Sequence, residues 1–175
     1  MKYWGFVLLL AMTVGLSACG EADIGKADTA LPSSSDSKQA NEKESPAPKD
    51  ETYKVGEAVK FDDLIITVNG VRESEGEFVK PEEGKVIILV DVTAENKGTD
   101  EKPISSALQT KVADGDGYQY NLTIAEDGKG SFDGSVASGR KLRGEVAFEV
   151  PKDASSLEFI FSDPFKKGQA IWKIK

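Results

Sequence analysis

The sequence predicts an all-β domain made of two antiparallel sheets packed face to face. From Tyr53 onward, apolar and polar residues alternate with period two, which is the pattern of half-buried strands. The runs are short and broken by Gly, Pro, Asn and Asp clusters that favour turns. No stretch in this region carries a long 3.6-residue period that would argue for a helix.

A short strand over 58–61 opens the domain. In the next, Leu64, Ile66 and Val68 face one side, with Ile65, Thr67 and Asn69 opposite. Asn69-Gly70 is a turn signal, yet β-branched Val71 follows and carries the strand on to Arg72. Val86, Ile88, Val90, Val92 and Ala94 form the clearest face. Its reverse side bears Ile87 and Leu89 before turning polar at Asp91, Thr93 and Glu95, so half of this strand is expected to be covered on both sides. Asn96-Lys97-Gly98 closes it. Leu108, Thr110 and Val112 lead into Asp114-Gly115-Asp116-Gly117, a hairpin signal because Gly accepts positive φ cheaply. Tyr118, Tyr120 and Leu122 make the return strand.

Leu142, Gly144, Val146, Phe148 and Val150 share a face that ends at Pro151. Leu157, Phe159 and Phe161 precede Asp163-Pro164, and Ala170, Trp172 and Ile174 make the last strand. About seven or eight strands at this spacing suit an immunoglobulin-like antiparallel β-sandwich. The chain has one cysteine, so no intrachain disulfide can join the sheets, and their apolar faces must hold the core alone.

The segment before this domain reads differently. Lys2 is followed by an apolar run from Tyr3 to Leu16, shorter than the roughly 20 residues that span a bilayer. A charged start, a short apolar middle and small residues at the end describe a signal peptide over 1–18. Leu16, Ser17 and Ala18 precede Cys19, the sole cysteine, in a pattern that resembles the bacterial lipobox. The thiol would take a diacylglyceryl group, the small residues would let the backbone enter a signal peptidase, and cleavage would leave Cys19 as the new N-terminus. Two acyl chains suffice for stable anchoring where one does not. The expected location is therefore the extracytoplasmic face of the cell membrane. Residues 20–52 are rich in Ser, Ala, Pro and charge, with Ile24 and Leu31 the large aliphatics, so 19–52 is expected to be a lipidated cysteine followed by a disordered linker. The domain occupies 53–175.

Charge and residue usage exclude several functions. The net charge is −8, with 22 Lys and Arg against 30 Asp and Glu. That disfavours nucleic acid, whose phosphates need cationic patches. Histidine is absent, which removes His-based catalysis and His metal ligands. No cofactor is expected.

The order of several fragments adds a resemblance. They are Val55-Gly56-Glu57, Leu64-Ile65-Ile66-Thr67-Val68, and Pro81-Glu82-Glu83-Gly84-Lys85 leading into Ile88-Leu89-Val90-Asp91-Val92-Thr93. Asp114-Gly115-Asp116-Gly117-Tyr118, Gly144-Glu145-Val146-Ala147-Phe148-Glu149-Val150-Pro151 and Ile171-Trp172-Lys173-Ile174 follow. Together, over 53–175, they resemble the DUF4352 family of bacterial lipoproteins. Its domain is similar to the immunoglobulin-like fold of the mycobacterial secreted antigen MPT63. The resemblance implies fold and location, and brings no catalytic residues.

Four candidate sites remain. Asp114-Gly115-Asp116-Gly117 has part of a calcium-loop pattern, but the twelfth position is Ala125 where a Glu is needed, so a turn is expected. Ser138 and Lys141 have a Ser-x-x-Lys spacing, without its companion motifs. Glu73, Glu75, Glu77, Glu82 and Glu83 surround Phe78 and Pro81, suggesting a solvated loop or a site for a cation or basic partner, with Phe78 expected to plug the core. Residues 125–141 form a long Gly- and Ser-rich connection, and such connections are often functional. Phe132, Asp133 and Arg140 make it the first candidate binding loop. The expectation is a non-enzymatic interaction module that binds a protein or an envelope component, with a ligand or cation carrier as the alternative.

Overall fold

The computed structural model describes residues 22–27 and 52–175. Its strands are β1 (Ile24–Lys26), β2 (Thr52–Lys54), β3 (Ala58–Phe61), β4 (Leu64–Glu73), β5 (Lys85–Asn96) and β6 (Lys102–Ile104), then β7 (Thr110–Asp114), β8 (Gln119–Tyr120), β9 (Gly134–Val136), β10 (Lys141–Pro151), β11 (Leu157–Ser162) and β12 (Gln169–Lys173). A single helical turn, α1 (Ser106–Gln109), precedes β7. One sheet runs β1-β3-β4-β5-β10 and the other β2-β12-β11-β7-β8, while β6 and β9 pair as a separate ribbon. The pairings are antiparallel apart from β2, which lies parallel to β12. The predicted β-sandwich is therefore the fold of the chain.

The strands expected from periodicity correspond to β3, β4, β5, β7, β8, β10, β11 and β12, although the return strand expected over Tyr118, Tyr120 and Leu122 shrinks to the two residues of β8, with Tyr118 exposed and Leu122 bridged to Phe148 of β10. The structure adds β1, β2, β6 and β9, each of three residues, too short to show a period. Leu108 was expected in a strand. It lies instead in α1 and is largely exposed, because the chain turns once before β7 begins at Thr110. The linker expected over 20–52 is corrected for residues 22–27. Ile24, Gly25 and Lys26 pair with Phe61, Lys60 and Val59, and Ala22 is buried, its N–H donating to the Lys167 carbonyl at 2.8 Å. Backbone hydrogen bonds and a fitted small side chain supply what apolar content alone could not.

The core lies between the sheets. Val59, Ile66, Val68, Val90, Val92 and Phe148 come from one side and Val112, Phe159, Phe161 and Trp172 from the other, all buried. Aromatic rings cross the gap. Phe61 meets Phe161 edge-on at 5.2 Å, and Phe148 meets Phe159 edge-on at 6.1 Å. Such pairs contribute about 0.5–1.5 kcal/mol beyond area burial. Asn69-Gly70 is a bulge within β4 rather than a turn, since the register shifts between Val68 and Gly70. The Asn69 amide donates to Asp91 Oδ1 at 3.0 Å and Thr93 Oγ1 at 2.9 Å, which ties the bulge to β5.

The reverse side of β5 is covered as its sequence predicts. Ile87, Leu89 and Ala147 form a second buried cluster, with Val79 and Ala125 packed on it.

Gly144 breaks the apolar face of β10 for a steric reason. A Cβ there would collide with the backbone of Ser131 and Phe132, because the chain crosses β10 at this point, with Gly130 bridging to Gly144. Phe132 then fills the volume, buried in the main core. Gly144→Ala is expected to destabilise the domain by about 1–3 kcal/mol, the usual range for overpacking. Thermal unfolding of the variant checks this, and an unchanged melting temperature would show that the crossing is looser than described.

Candidate functional site

The lipobox residues Leu16, Ser17, Ala18 and Cys19 lie outside the described residues. The other candidates can be placed.

The Asp114 turn is a saturated hairpin. Asp114 Oδ1 accepts the N–H groups of Asp116 at 3.0 Å and Tyr118 at 2.9 Å, and Oδ2 accepts the Tyr120 hydroxyl at 2.6 Å. The Tyr120 hydroxyl is pushed up to about 12, chiefly because it donates to this carboxylate and also by burial. Ser138 and Lys141 do not form a pair: the Ser138 hydroxyl donates to the Gly98 carbonyl at 2.7 Å, while the Lys141 ammonium faces Glu95 at 3.4 Å.

The 125–141 connection is only partly irregular. Its β9 pairs with β6 through Val136, Ser135 and Gly134. Phe132 is 1% exposed, so it is a core residue and cannot contact a partner. Asp133 accepts the Ser106 N–H at 2.8 Å and the Ser106 hydroxyl at 2.8 Å, which fastens α1. Arg140 is exposed, with its backbone tied to Ala137 and Asn96. The three candidate binding residues therefore do not form one surface, because the alternation of buried and exposed positions here follows the chain crossing rather than the composition.

The structure instead joins 73–83 to the first part of that connection. Arg72, near the end of β4, is the hub. Its Nε and Nη2 donate to the two oxygens of Glu145 at 3.0 and 2.7 Å, and its Nη1 and Nη2 to Asp127 Oδ2 at 2.6 Å and Asp127 O at 2.7 Å. Asp127 also accepts the Ser74 hydroxyl at 2.5 Å and the Glu75 N–H at 3.0 Å. Glu126 accepts the Phe78 N–H at 2.7 Å. The segment therefore has a fixed backbone, with Val79 turned onto the Ile87–Leu89 cluster and Phe78 turned out.

Phe78 is 88% exposed. The expected core plug is corrected: Val79 is the residue that packs inward, and Phe78 stands in solvent. Glu73, Glu75, Glu77, Glu82 and Glu83 are exposed around it. Glu82 pairs with Lys85 at 2.5 Å, and the other four enter no ion pair among the described residues. A shallow recess of about 160 Å³ beside Phe78 is lined by Glu73, Val79, Pro81 and Val86 among others. The result is an apolar knob on a fixed backbone among four carboxylates without ion pairs, with the Lys80 ammonium donating to the Gly76 carbonyl nearby. Sequence reasoning saw the two segments separately; the link between them is Arg72, whose partners lie 55 and 73 positions away.

The family model for a domain of unknown function, DUF4352, matches residues 53–171. The chain belongs to the DUF4352 family. Solved structures agree on the fold. The yjhA protein of Bacillus subtilis is 20% identical with a TM-score of 0.55, over 71% of this chain and all of that one. MPT63, a secreted protein of Mycobacterium tuberculosis, is 17% identical with a TM-score of 0.51, over 74% of this chain and 99% of that one. The ycdA protein of Bacillus subtilis, provisionally described as a lipoprotein, is 17% identical with a TM-score of 0.53, over 74% of this chain and 39% of that one. No curated protein matches the chain. The Phe78 surface follows the end of β4 at Glu73 and precedes the start of β5 at Lys85.

The Arg72 cluster makes the stability of this DUF4352 domain depend on acid. Hydrogen bonds from Ser74 and Arg72 hold Asp127 well below the usual carboxylate range, and the hydrogen bonds from Arg72 lower Glu145 against the opposing effect of burial. Depressed carboxylates stabilise the fold fully once the unfolded groups are ionised, above about pH 4.5, and lose that contribution as pH falls through their folded values. Arg72→Ala is expected to cost about 1–2 kcal/mol at neutral pH, held to that by the third of Arg72 that solvent reaches. Its deficit should shrink at about pH 2.5. Melting temperatures of both proteins at the two pH values check this; an equal deficit at each would mean that the cluster is electrostatically inert.

Proposed function

We propose that this chain is a membrane-anchored extracytoplasmic lipoprotein whose sandwich is a binding module for a basic protein surface, acting without catalysis. The anchor rests on Leu16-Ser17-Ala18-Cys19 behind the apolar run. The secreted MPT63 and the provisional lipoprotein ycdA, which share the fold, support an extracytoplasmic location. The binding role is carried by Phe78, an 88% exposed aromatic on a backbone pinned by Glu126 and Asp127. A pre-ordered aromatic loses little entropy on docking and is a frequent energetic anchor of interfaces. The surrounding glutamates would draw a basic partner and select its orientation. The separate commitments of Ser138 and Lys141 support binding over acyl-enzyme chemistry.

Cys19→Ala is expected to release the protein from the membrane fraction or leave it unprocessed; fractionation with mass measurement reads this. A processed variant still held by the membrane would sink the lipoprotein reading.

Phe78→Ser is expected to weaken capture of the partner by tenfold or more, since an interface anchor contributes about 2 kcal/mol or above. The melting temperature should hold, because Phe78 buries almost nothing. Cross-linking on intact cells followed by affinity measurement with the captured protein tests it, and undiminished capture by the variant would remove Phe78 from the interface.

A further inference from the structure

The end of the sandwich opposite Phe78 carries its own exposed apolar group. A recess of about 170 Å³ lies between the sheets there, floored by Phe61, Leu64 and Phe161. Two large side chains at its mouth stand in solvent, Leu108 at 62% exposure and Phe165 at 82%. β4 runs from this recess at Leu64 to the Phe78 segment at Glu73, a span of about 30 Å.

β1 places this end beside the anchor. Ala22 is hydrogen-bonded to Lys167, two residues from Phe165, and the Asp23 N–H donates to Asp62 Oδ1 at 2.9 Å on the wall of the recess. Three residue steps separate Ala22 from Cys19, a reach of at most about 11 Å. The stretch 28–51 begins and ends on the same domain, after β1 and before β2, so it does not lie between anchor and domain. A diacylglyceryl group on Cys19 would therefore hold the recess close to the bilayer surface.

Local charge fits that position. The 53–175 domain has 22 acidic against 17 basic residues, and anionic lipid would repel it. Around the recess, however, Asp23, Asp62, Asp63 and Asp163 are matched by Lys60, Lys102, Lys166 and Lys167, while Asp100 and Glu101 stand exposed beside Lys102. Asp23 pairs with Lys60, Asp62 with Lys166 at 2.6 Å and Asp63 with Lys102 at 2.6 Å. Asp163 accepts the Phe165 N–H at 2.8 Å, and Lys167 enters no ion pair among the described residues.

We propose that the Leu108–Phe165 end of the sandwich is a membrane-contact surface, seated in the interface of the bilayer that carries the chain's own lipid. Phe165 and Leu108 enter the headgroup–acyl boundary, and Lys167 meets lipid phosphate, the arrangement of interfacial amphipathic segments. The domain then stands upright on the membrane with Phe78 directed outward. This inference rests on lipidation at Cys19.

The test uses the full lipidated protein in phosphatidylethanolamine–phosphatidylglycerol vesicles and in detergent micelles, with hydrogen exchange read by mass spectrometry. Amides of 105–109 and 165–168 are expected to exchange severalfold more slowly on vesicles than in detergent, while 75–80 is unchanged. Leu108→Ser with Phe165→Ser should lose that protection yet stay in the vesicle fraction and melt cooperatively, since both positions are exposed. A lipidated protein with no protection at these segments, or with equal protection at 75–80, overturns the proposal alone. Protection in detergent that grows with protein concentration overturns it in favour of a second copy on the recess. A mature chain lacking the diacylglyceryl mass overturns the anchor reading and this proposal with it.

Discussion

The contact between the two sheets is a seam of aromatic rings, and the rest of the molecule is arranged around it. Phe61 with Phe161 holds one end of the sandwich. Phe148 of one sheet meets Phe159 of the other, and Trp172 and Tyr53 continue the ring contacts along that second sheet, with centroid separations of 5.9–6.1 Å. No disulfide can join the sheets, so shape and dispersion across this seam must do so. The seam also dictates where smaller groups go. Trp172 carries a polar N–H into the interior, and the Glu57 carbonyl accepts it at 3.0 Å, which fixes the turn between β2 and β3. Gly144 is bare because the chain crosses there to bring Phe132 into the same core.

A second, outer layer depends on the first. β5 and β10 present apolar residues on the side away from the seam, and those residues need cover. Val79 and Ala125 supply it, and the segments that carry them are fastened by Arg72, Asp127 and Glu145 rather than by more hydrophobic contact. An ion-paired cover can be thin and still ordered, since directional bonds set the backbone where packing is sparse. That arrangement allows Phe78 to be fully presented without the loop collapsing around it. The cost is sensitivity to acid, because the fastening is made of carboxylates.

The N-terminal strand changes how the segment before residue 52 relates to the domain. Composition describes 20–52 as one spacer that would lift the domain from the bilayer by a coil length. Pairing of β1 with β3 instead fastens residues 24–26 of that stretch to the domain. The same residues therefore act as a clasp, and Asp62, at φ 53 in the left-handed region, turns the chain where the clasp lands.

Much of this was legible without coordinates. Eight of the twelve strands, the two-sided burial of Ile87 and Leu89 and the family were all read from residues 53–175. Period-two alternation survives in any strand long enough to repeat it, and the Asp114 turn is written in local Gly and Asp chemistry. Gly144 within an apolar face was itself a signal that another backbone approaches. The tertiary structure decided what depends on distant partners. Phe132 and Phe78 are each a lone aromatic in a polar, Gly-containing stretch, and nothing local distinguishes the buried one from the exposed one. Phe132 is inside because Gly144, twelve positions on, leaves room for its backbone. Phe78 is outside because Val79 takes the site over Ile87 and Leu89. The same holds for β1, whose three residues have no pattern of their own and become a strand only because the edge of β3 offers hydrogen bonds. Periodicity is a property of a segment and can be read from it. Which of two segments fills a volume is a property of the whole fold, and it is settled only when the chain closes on itself.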